Sequence, residues 1–75
     1  MSPHLPVVKA KDLISYLCNR RGFVVERIRG SHYQLRHPAT GRRLTVPMHR
    51  EAIRRGTLRE IMAAASLSPD DLRGV

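Results

Sequence analysis

The chain has 75 residues and carries 14 Lys and Arg against 6 Asp and Glu, which gives a formal net charge of +8 at pH 7. A chain of this length forms one small domain with a thin core, and none of its apolar stretches approaches the ~20 residues of a membrane span. Twelve of the fourteen cations are Arg, whose planar fork matches phosphate oxygens. We therefore expect a cytoplasmic single domain, residues 1–75 with a core of about 9–72 and frayed ends, that binds nucleic acid or an acidic protein.

The first half of the chain predicts a helix followed by strands. Apolar residues recur at three- and four-residue steps over residues 9–21, and Gly22 ends this first helix. Cys18 lies on the apolar stripe and is predicted to be a buried core thiol, since one cysteine cannot form an internal disulfide. Runs of β-branched or alternating residues then predict three strands, at residues 23–28, 32–37 and 43–46.

The second half of the chain predicts a loop and another helix. Pro47 cannot donate to a sheet ladder, so residues 48–56 are expected to form a loop or a single helical turn. Thr57 and Glu60 have the spacing of a capping box that starts the second helix. Its predicted apolar face is Leu58, Ile61, Met62 and Ala65, and a capped last turn follows at residues 68–71 with Leu72 pointing inward. The fold class is α+β: helix, three antiparallel strands and helix, with both helices on one sheet face and the other face open.

The turn Gly30-Ser31-His32 joins the first two predicted strands and carries the candidate catalytic residue. Strand alternation places His32 and Arg36 on the same side as Gln34, opposite to the apolar Leu35. The helices must cover the apolar side, so His32 and Arg36 are expected on the open face. Arg27 or Arg29 of the first strand and Arg43 of the third are expected to join them there.

An exposed histidine among arginines is suited to cleaving RNA without a metal ion. The reaction needs a base for the ribose 2′-hydroxyl, an acid for the leaving 5′-oxygen and cations for the phosphate, and histidine can perform either proton step. His32 is the predicted acid or base, and the predicted substrate-binding residues are Arg29, Gly30, Ser31, Arg36 and Arg43. Water, His37 and His49 remain candidates for the second proton step. No metal or other cofactor is expected, because the four histidines lack Cys or carboxylate neighbours at ligand spacing.

Four motifs in order resemble the HicA toxin family of HicA-HicB type II toxin-antitoxin systems. They are Gly22-Phe23, Gly30-Ser31-His32-Tyr33, Thr45-Val46-Pro47-Met48-His49 and Gly56-Thr57-Leu58-Arg59-Glu60-Ile61. The resemblance implies a fold similar to the double-stranded-RNA-binding domain and a metal-independent endoribonuclease that cleaves mRNA, with His32 as its catalytic histidine. It also implies a HicB-type antitoxin that covers this site and through which DNA is bound indirectly.

Two other classes of protein are compatible with a basic domain of this size. A non-catalytic RNA-binding module would use the open face for shape recognition of duplex RNA. A DNA-binding regulator would place the second helix in a groove, but Ala63, Ala64 and Ala65 leave that helix almost without base-reading side chains. Within the resemblance, Ser66 departs from the glycine that relatives commonly carry after this helix, which puts the geometry of the helix end in doubt.

Overall fold

The computed structural model describes residues 5–75, which form two helices, three strands and a short 3-10 helix. These elements are α1 (Ala10–Arg20), β1 (Val24–Arg29), β2 (His32–Arg36), β3 (Arg43–Pro47), α2 (Arg55–Ala65) and the 3-10 helix Pro69–Leu72. The strands form one antiparallel sheet in the order β1-β2-β3. The predicted α+β class and the α-β-β-β-α order are confirmed. None of the helices found in residues 5–75 is long and apolar enough to cross a bilayer.

Both helices bury the faces that their periodicity predicted. The buried residues are Ala10, Leu13, Ile14 and Leu17 of α1, and Leu58, Ile61, Met62 and Ala65 of α2. They pack against Leu35, Leu44 and Val46 of the sheet. Cys18 is half-buried at the border of this core and not inside it as predicted, and desolvation raises the pKa of its thiol. The core therefore lies between the two helices and the inner sides of β2 and β3.

The packed part of the chain begins earlier than expected. Val8 is 1% exposed, and its carbonyl accepts a hydrogen bond of 2.8 Å from the Ile53 N–H. Val8 therefore belongs to the core and not to a frayed end, because this bond and its burial tie it to the segment before α2. At the other end, Val75 packs against the core and donates to the Leu72 carbonyl at 3.1 Å. The fraying predicted for residues 1–4 lies outside the described residues.

The start of α2 differs from the prediction. The helix begins at Arg55, and the N-cap residue Arg54 makes no side-chain capping bond. The capping box predicted at Thr57 and Glu60 is wrong, because the N-cap is Arg54, three residues before Thr57, and Thr57 falls within the first turn of the helix. The first N–H groups of α2 are therefore left without a capping side chain.

The capping box of this chain lies at the final 3-10 helix. The Ser68 hydroxyl accepts from the Asp71 N–H at 3.4 Å, and the Asp71 carboxylate accepts from the Ser68 N–H at 2.8 Å. The hydrogen bonds from the backbone and hydroxyl of Ser68 lower the pKa of Asp71. The capped turn predicted at residues 68–71 is confirmed, and Leu72 is 1% exposed.

Ser66 ends α2 in the left-handed conformation, with φ of 56° and ψ of 47°. A non-glycine residue pays about 1 kcal/mol for this conformation. Arg42, from the turn between β2 and β3, donates to the Ser66 hydroxyl and to the Ala64 carbonyl, the latter at 3.4 Å. The left-handed end of α2 thus forms with serine in place of glycine. The Arg42 side chain, distant in sequence, satisfies the Ala64 carbonyl and the Ser66 hydroxyl.

The turn after α1 requires glycine at position 22, and substitution there tests this. Gly22 has φ of 78°, and a Cβ atom would lie 3.1 Å from Nε2 of His37. We expect Gly22→Ala to lower the free energy of unfolding by about 1–2 kcal/mol, measured by thermal or urea unfolding. Gly56→Ala is the matched control, because Gly56 lies in α2 and an added Cβ would have no neighbour within 4 Å, so alanine there should stabilise by up to ~1 kcal/mol. A Gly22→Ala variant as stable as the unsubstituted chain would contradict the expected strain.

β1 is exposed along its whole length. The register places Val25 opposite Leu35 and Ile28 opposite Tyr33, so both belong to the side of the sheet that the helices cover. Nevertheless Val25 is 41% exposed and Ile28 is 53% exposed. The two helices do not extend far enough to cover this edge strand, so the chain presents an apolar border beside its open face.

Candidate active site

A two-residue turn holds His32 at the end of the sheet. Arg29 pairs with His32 across the turn formed by Gly30 and Ser31. Gly30 has φ of 58°, and Ser31 is not in the positive region, which is the pattern of a type II′ hairpin with glycine at its first central position. His32 is therefore fixed at the first position of β2, where it is exposed.

The strand register places the predicted site residues on the open face in rows. Residues directly opposite each other in antiparallel strands share a face, and their Cα atoms lie about 4.5–5.5 Å apart. The first row is Arg29, His32 and Pro47, the second is Arg27, Gln34 and Thr45, and the last contains Arg36 and Arg43. His32, Arg29, Arg36 and Arg43 thus share one face, as the alternation predicted.

The structure separates these residues into two groups along the face. Four strand steps of ~3.3 Å place Arg36 about 13 Å from His32, whereas Arg29 lies directly opposite the histidine. Arg27 is the diagonal neighbour of His32, about 7–8 Å away. In the described part of the chain, residues 5–75, no carboxylate pairs with Arg27 or Arg29. These two cations of β1, close to the histidine in the sheet register, are therefore free of carboxylates in this part of the chain.

Glu26 pairs with both arginines of the second group, Arg36 and Arg43, and it was not among the predicted site residues. The register shifts between Val25 and Arg27, so Glu26 is the extra residue of a β-bulge. Its carboxylate lies 2.8 Å from Nε of Arg36 and 3.0 Å from Nε of Arg43. The hydrogen bond from Arg43 and then the contacts with Arg36 lower the pKa of Glu26. Glu26 thus offsets the repulsion between two arginines that lie directly opposite each other. The only signal in the sequence is one acidic residue in an otherwise basic strand.

His37 has a structural role at the far end of β2. The strand ends at Arg36, one residue before the predicted end, and Nδ1 of His37 accepts a hydrogen bond of 3.3 Å from the Thr40 N–H. Its ring packs edge-on against Phe23 with centroids 5.2 Å apart. His37 is therefore remote from His32. His49, by contrast, follows β3 by two residues at the same end of the sheet as His32, and it is exposed.

Gly30, Ser31 and the unpaired arginines complete a site that is accessible from solvent. The Ser31 carbonyl accepts from the Met48 N–H at 2.6 Å, which ties the turn to the segment after β3. Within residues 5–75, no group of three His, Cys, Asp or Glu side chains is placed to hold a metal ion. The fold and site define a small basic α+β domain with an exposed histidine beside free arginines.

The chain belongs to the HicA toxin family. The model of the family described as HicA toxin of bacterial toxin-antitoxin matches residues 10–67, which includes both helices and the whole sheet. A search of curated proteins returns no match. The chain is accordingly a toxin of a bacterial toxin-antitoxin system, and its partner is an antitoxin.

Proposed function

We propose that this toxin is a metal-independent endoribonuclease that cleaves mRNA in the cytoplasm and so inhibits translation. His32 acts as a general acid or base. The observation that supports this most directly is the position of His32, exposed in the first row of the open face and opposite the unpaired Arg29. A proton-transfer group beside a free guanidinium supplies one of the two proton steps of phosphodiester cleavage and the cation that the phosphate requires.

The reaction follows from the chemistry of RNA. The 2′-oxygen of the ribose loses its proton and bonds to phosphorus, and the bond from phosphorus to the 5′-oxygen of the next nucleotide breaks as that oxygen gains a proton. His32 transfers one of these protons, and water or His49 transfers the other, since His37 is held at the far end of β2. The products are a 2′,3′-cyclic phosphate and a 5′-hydroxyl.

The predicted substrate-binding residues take different parts in this proposal. Arg29 holds the scissile phosphate and stabilises the charge that develops on it, because it lies opposite His32. Gly30 lets the RNA backbone approach the turn, and the Ser31 hydroxyl donates to a phosphate oxygen. Arg36 and Arg43 lie at the other end of the face and contact phosphates farther along the RNA. These phosphates compete with the Glu26 carboxylate for the two arginines.

A HicB-type antitoxin with an acidic contact surface is the proposed partner. The net charge of +8 attracts an acidic protein, and the open face and the uncovered side of β1 offer it a continuous surface. An antitoxin bound there would cover His32 and exclude RNA. DNA would be bound only through the antitoxin.

RNA cleavage by the purified toxin in the presence of EDTA tests the proposed function. We expect single-stranded RNA to be cut to fragments with 5′-hydroxyl ends and 2′,3′-cyclic phosphates, resolved on a denaturing gel. The control is the same oligonucleotide with a 2′-deoxyribose at the cleaved position, which should stay intact because the attacking hydroxyl is missing. Salt-sensitive binding to duplex RNA without any product would instead favour the non-catalytic RNA-binding module.

A further inference from the structure

A groove lies beside the first row of the open face. It has a volume of about 530 Å³ and lies between the segment that follows β3 and the first turn of α2, lined by Pro47, residues 49–54 and Thr57. Pro47, which lines the groove, is the register partner of His32. The groove therefore begins within one strand spacing of the candidate catalytic histidine.

The groove is basic and its cations are unengaged. Arg50, Arg54 and His49 line it, and Glu51 is the acidic residue among the lining side chains. Over residues 5–75, ion pairs do not involve Arg50 or Arg54, in contrast to Arg36 and Arg43 on the open face. Two exposed guanidinium groups that are free of carboxylates have the chemistry to hold a phosphate.

The walls of the groove are fixed by backbone hydrogen bonds at both ends. At one end the Met48 N–H donates to the Ser31 carbonyl of the His32 turn. At the other end the Ile53 N–H donates to the Val8 carbonyl, and Ala52 forms a β-bridge with Lys9. The segment that carries Arg50 is thus attached to both the catalytic turn and the core, and it is not a free loop.

We propose that this groove is a second phosphate subsite for single-stranded RNA, in which Arg50 and Arg54 hold a backbone phosphate adjacent to the scissile one. The inference rests on the proposed function, because it takes His32 as the point of cleavage. Pro47 both lines the groove and pairs with His32, so an RNA strand whose scissile phosphate lies at His32 would continue past Pro47 into the groove. A phosphate held there would fix the strand on both sides of the reacting bond.

Binding of a short, fluorescently labelled, single-stranded 2′-deoxyoligonucleotide tests the subsite. The probe has no 2′-hydroxyl and so cannot be cleaved, and its anisotropy reports on the groove whether or not the toxin is a nuclease. We expect Arg50→Ala/Arg54→Ala to weaken binding by roughly tenfold at low salt and to reduce the slope of log K against log[salt] by about 0.7 for the one phosphate lost.

The matched control is Arg20→Ala/Arg21→Ala, which removes the same two positive charges at the end of α1 that is far from the groove. Lys9, next to the start of α1, forms a bridge with Ala52 of the groove, so the far end of this 11-residue helix lies about 16 Å away. The control should bind as the unsubstituted toxin does. If both double variants weaken oligonucleotide binding equally, or if neither weakens it, the proposed subsite is wrong. The groove would then be better explained as a contact surface for an acidic protein. Failure of the EDTA assay, by contrast, would overturn the nuclease and not the groove.

Discussion

Replacement of His32 by alanine is expected to lower the rate of RNA cleavage by about 10²- to 10⁴-fold, because this removes the proposed proton-transfer group. The same variant should no longer arrest growth when it is expressed without an antitoxin. His32→Gln should be equally inactive, since glutamine can form hydrogen bonds but does not titrate near neutral pH. The rates would be measured with a labelled RNA oligonucleotide under single-turnover conditions.

The control for this prediction is stability. His32 is exposed, so both variants should unfold within about 0.5 kcal/mol of the unsubstituted toxin. His37→Gln is a useful comparison, because it removes a histidine that orders the turn after β2 and is remote from the site. Undiminished cleavage by folded His32→Ala would show that this residue is not the acid or base.

Arg29 and Arg36 are expected to affect different kinetic constants, although both lie on the open face. Arg29→Ala should lower kcat by about 10²-fold, because it removes the cation opposite His32 that we propose stabilises charge in the transition state. Arg36→Ala should raise KM a few-fold and leave kcat unchanged, since Arg36 lies about 13 Å from His32 along β2. Steady-state kinetics on one RNA substrate separates the two effects.

The double variant Arg27→Ala/Arg29→Ala tests whether Arg27 can take over the role of Arg29 when Arg29 is removed. Arg27 is the diagonal neighbour of His32, so it can partly replace Arg29, and the double variant should lose more activity than either single change. If Arg29→Ala and Arg36→Ala raise KM equally with no change in kcat, Arg29 only binds substrate and the assignment to the transition state is wrong.

Much of the fold could be predicted from the sequence, because local patterns determine it. The three- and four-residue spacing of α1 and α2 predicted every buried residue of α2, and alternation in β2 predicted that Leu35 is buried while His32 lies on the opposite face. These patterns work because the periods of 3.6 and 2 relate position in the chain directly to one face of an element.

The parts that could not be predicted depend on contacts between distant residues. The bulge at Glu26 has no periodic signature, and the pairing of its carboxylate with Arg36 and Arg43 follows from the register of three strands. Arg42 contacts the end of α2 more than twenty residues later in the chain. The spacing of Thr57 and Glu60 fits a capping box, but the helix starts at Arg55 without a capping side chain at Arg54.

Residue types and their spacing were enough to predict a small basic α+β domain with His32 in a turn between two strands. The sequence also carried the ordered motifs of the HicA family. Which arginines are free of carboxylates could be read only from the packing of the three strands. Arg29 lies opposite His32 and is free, whereas Arg36 and Arg43 are engaged by Glu26. The physical reason is that charge is a property of residues, but the availability of a charge depends on which carboxylates the fold brings within a few ångströms of it.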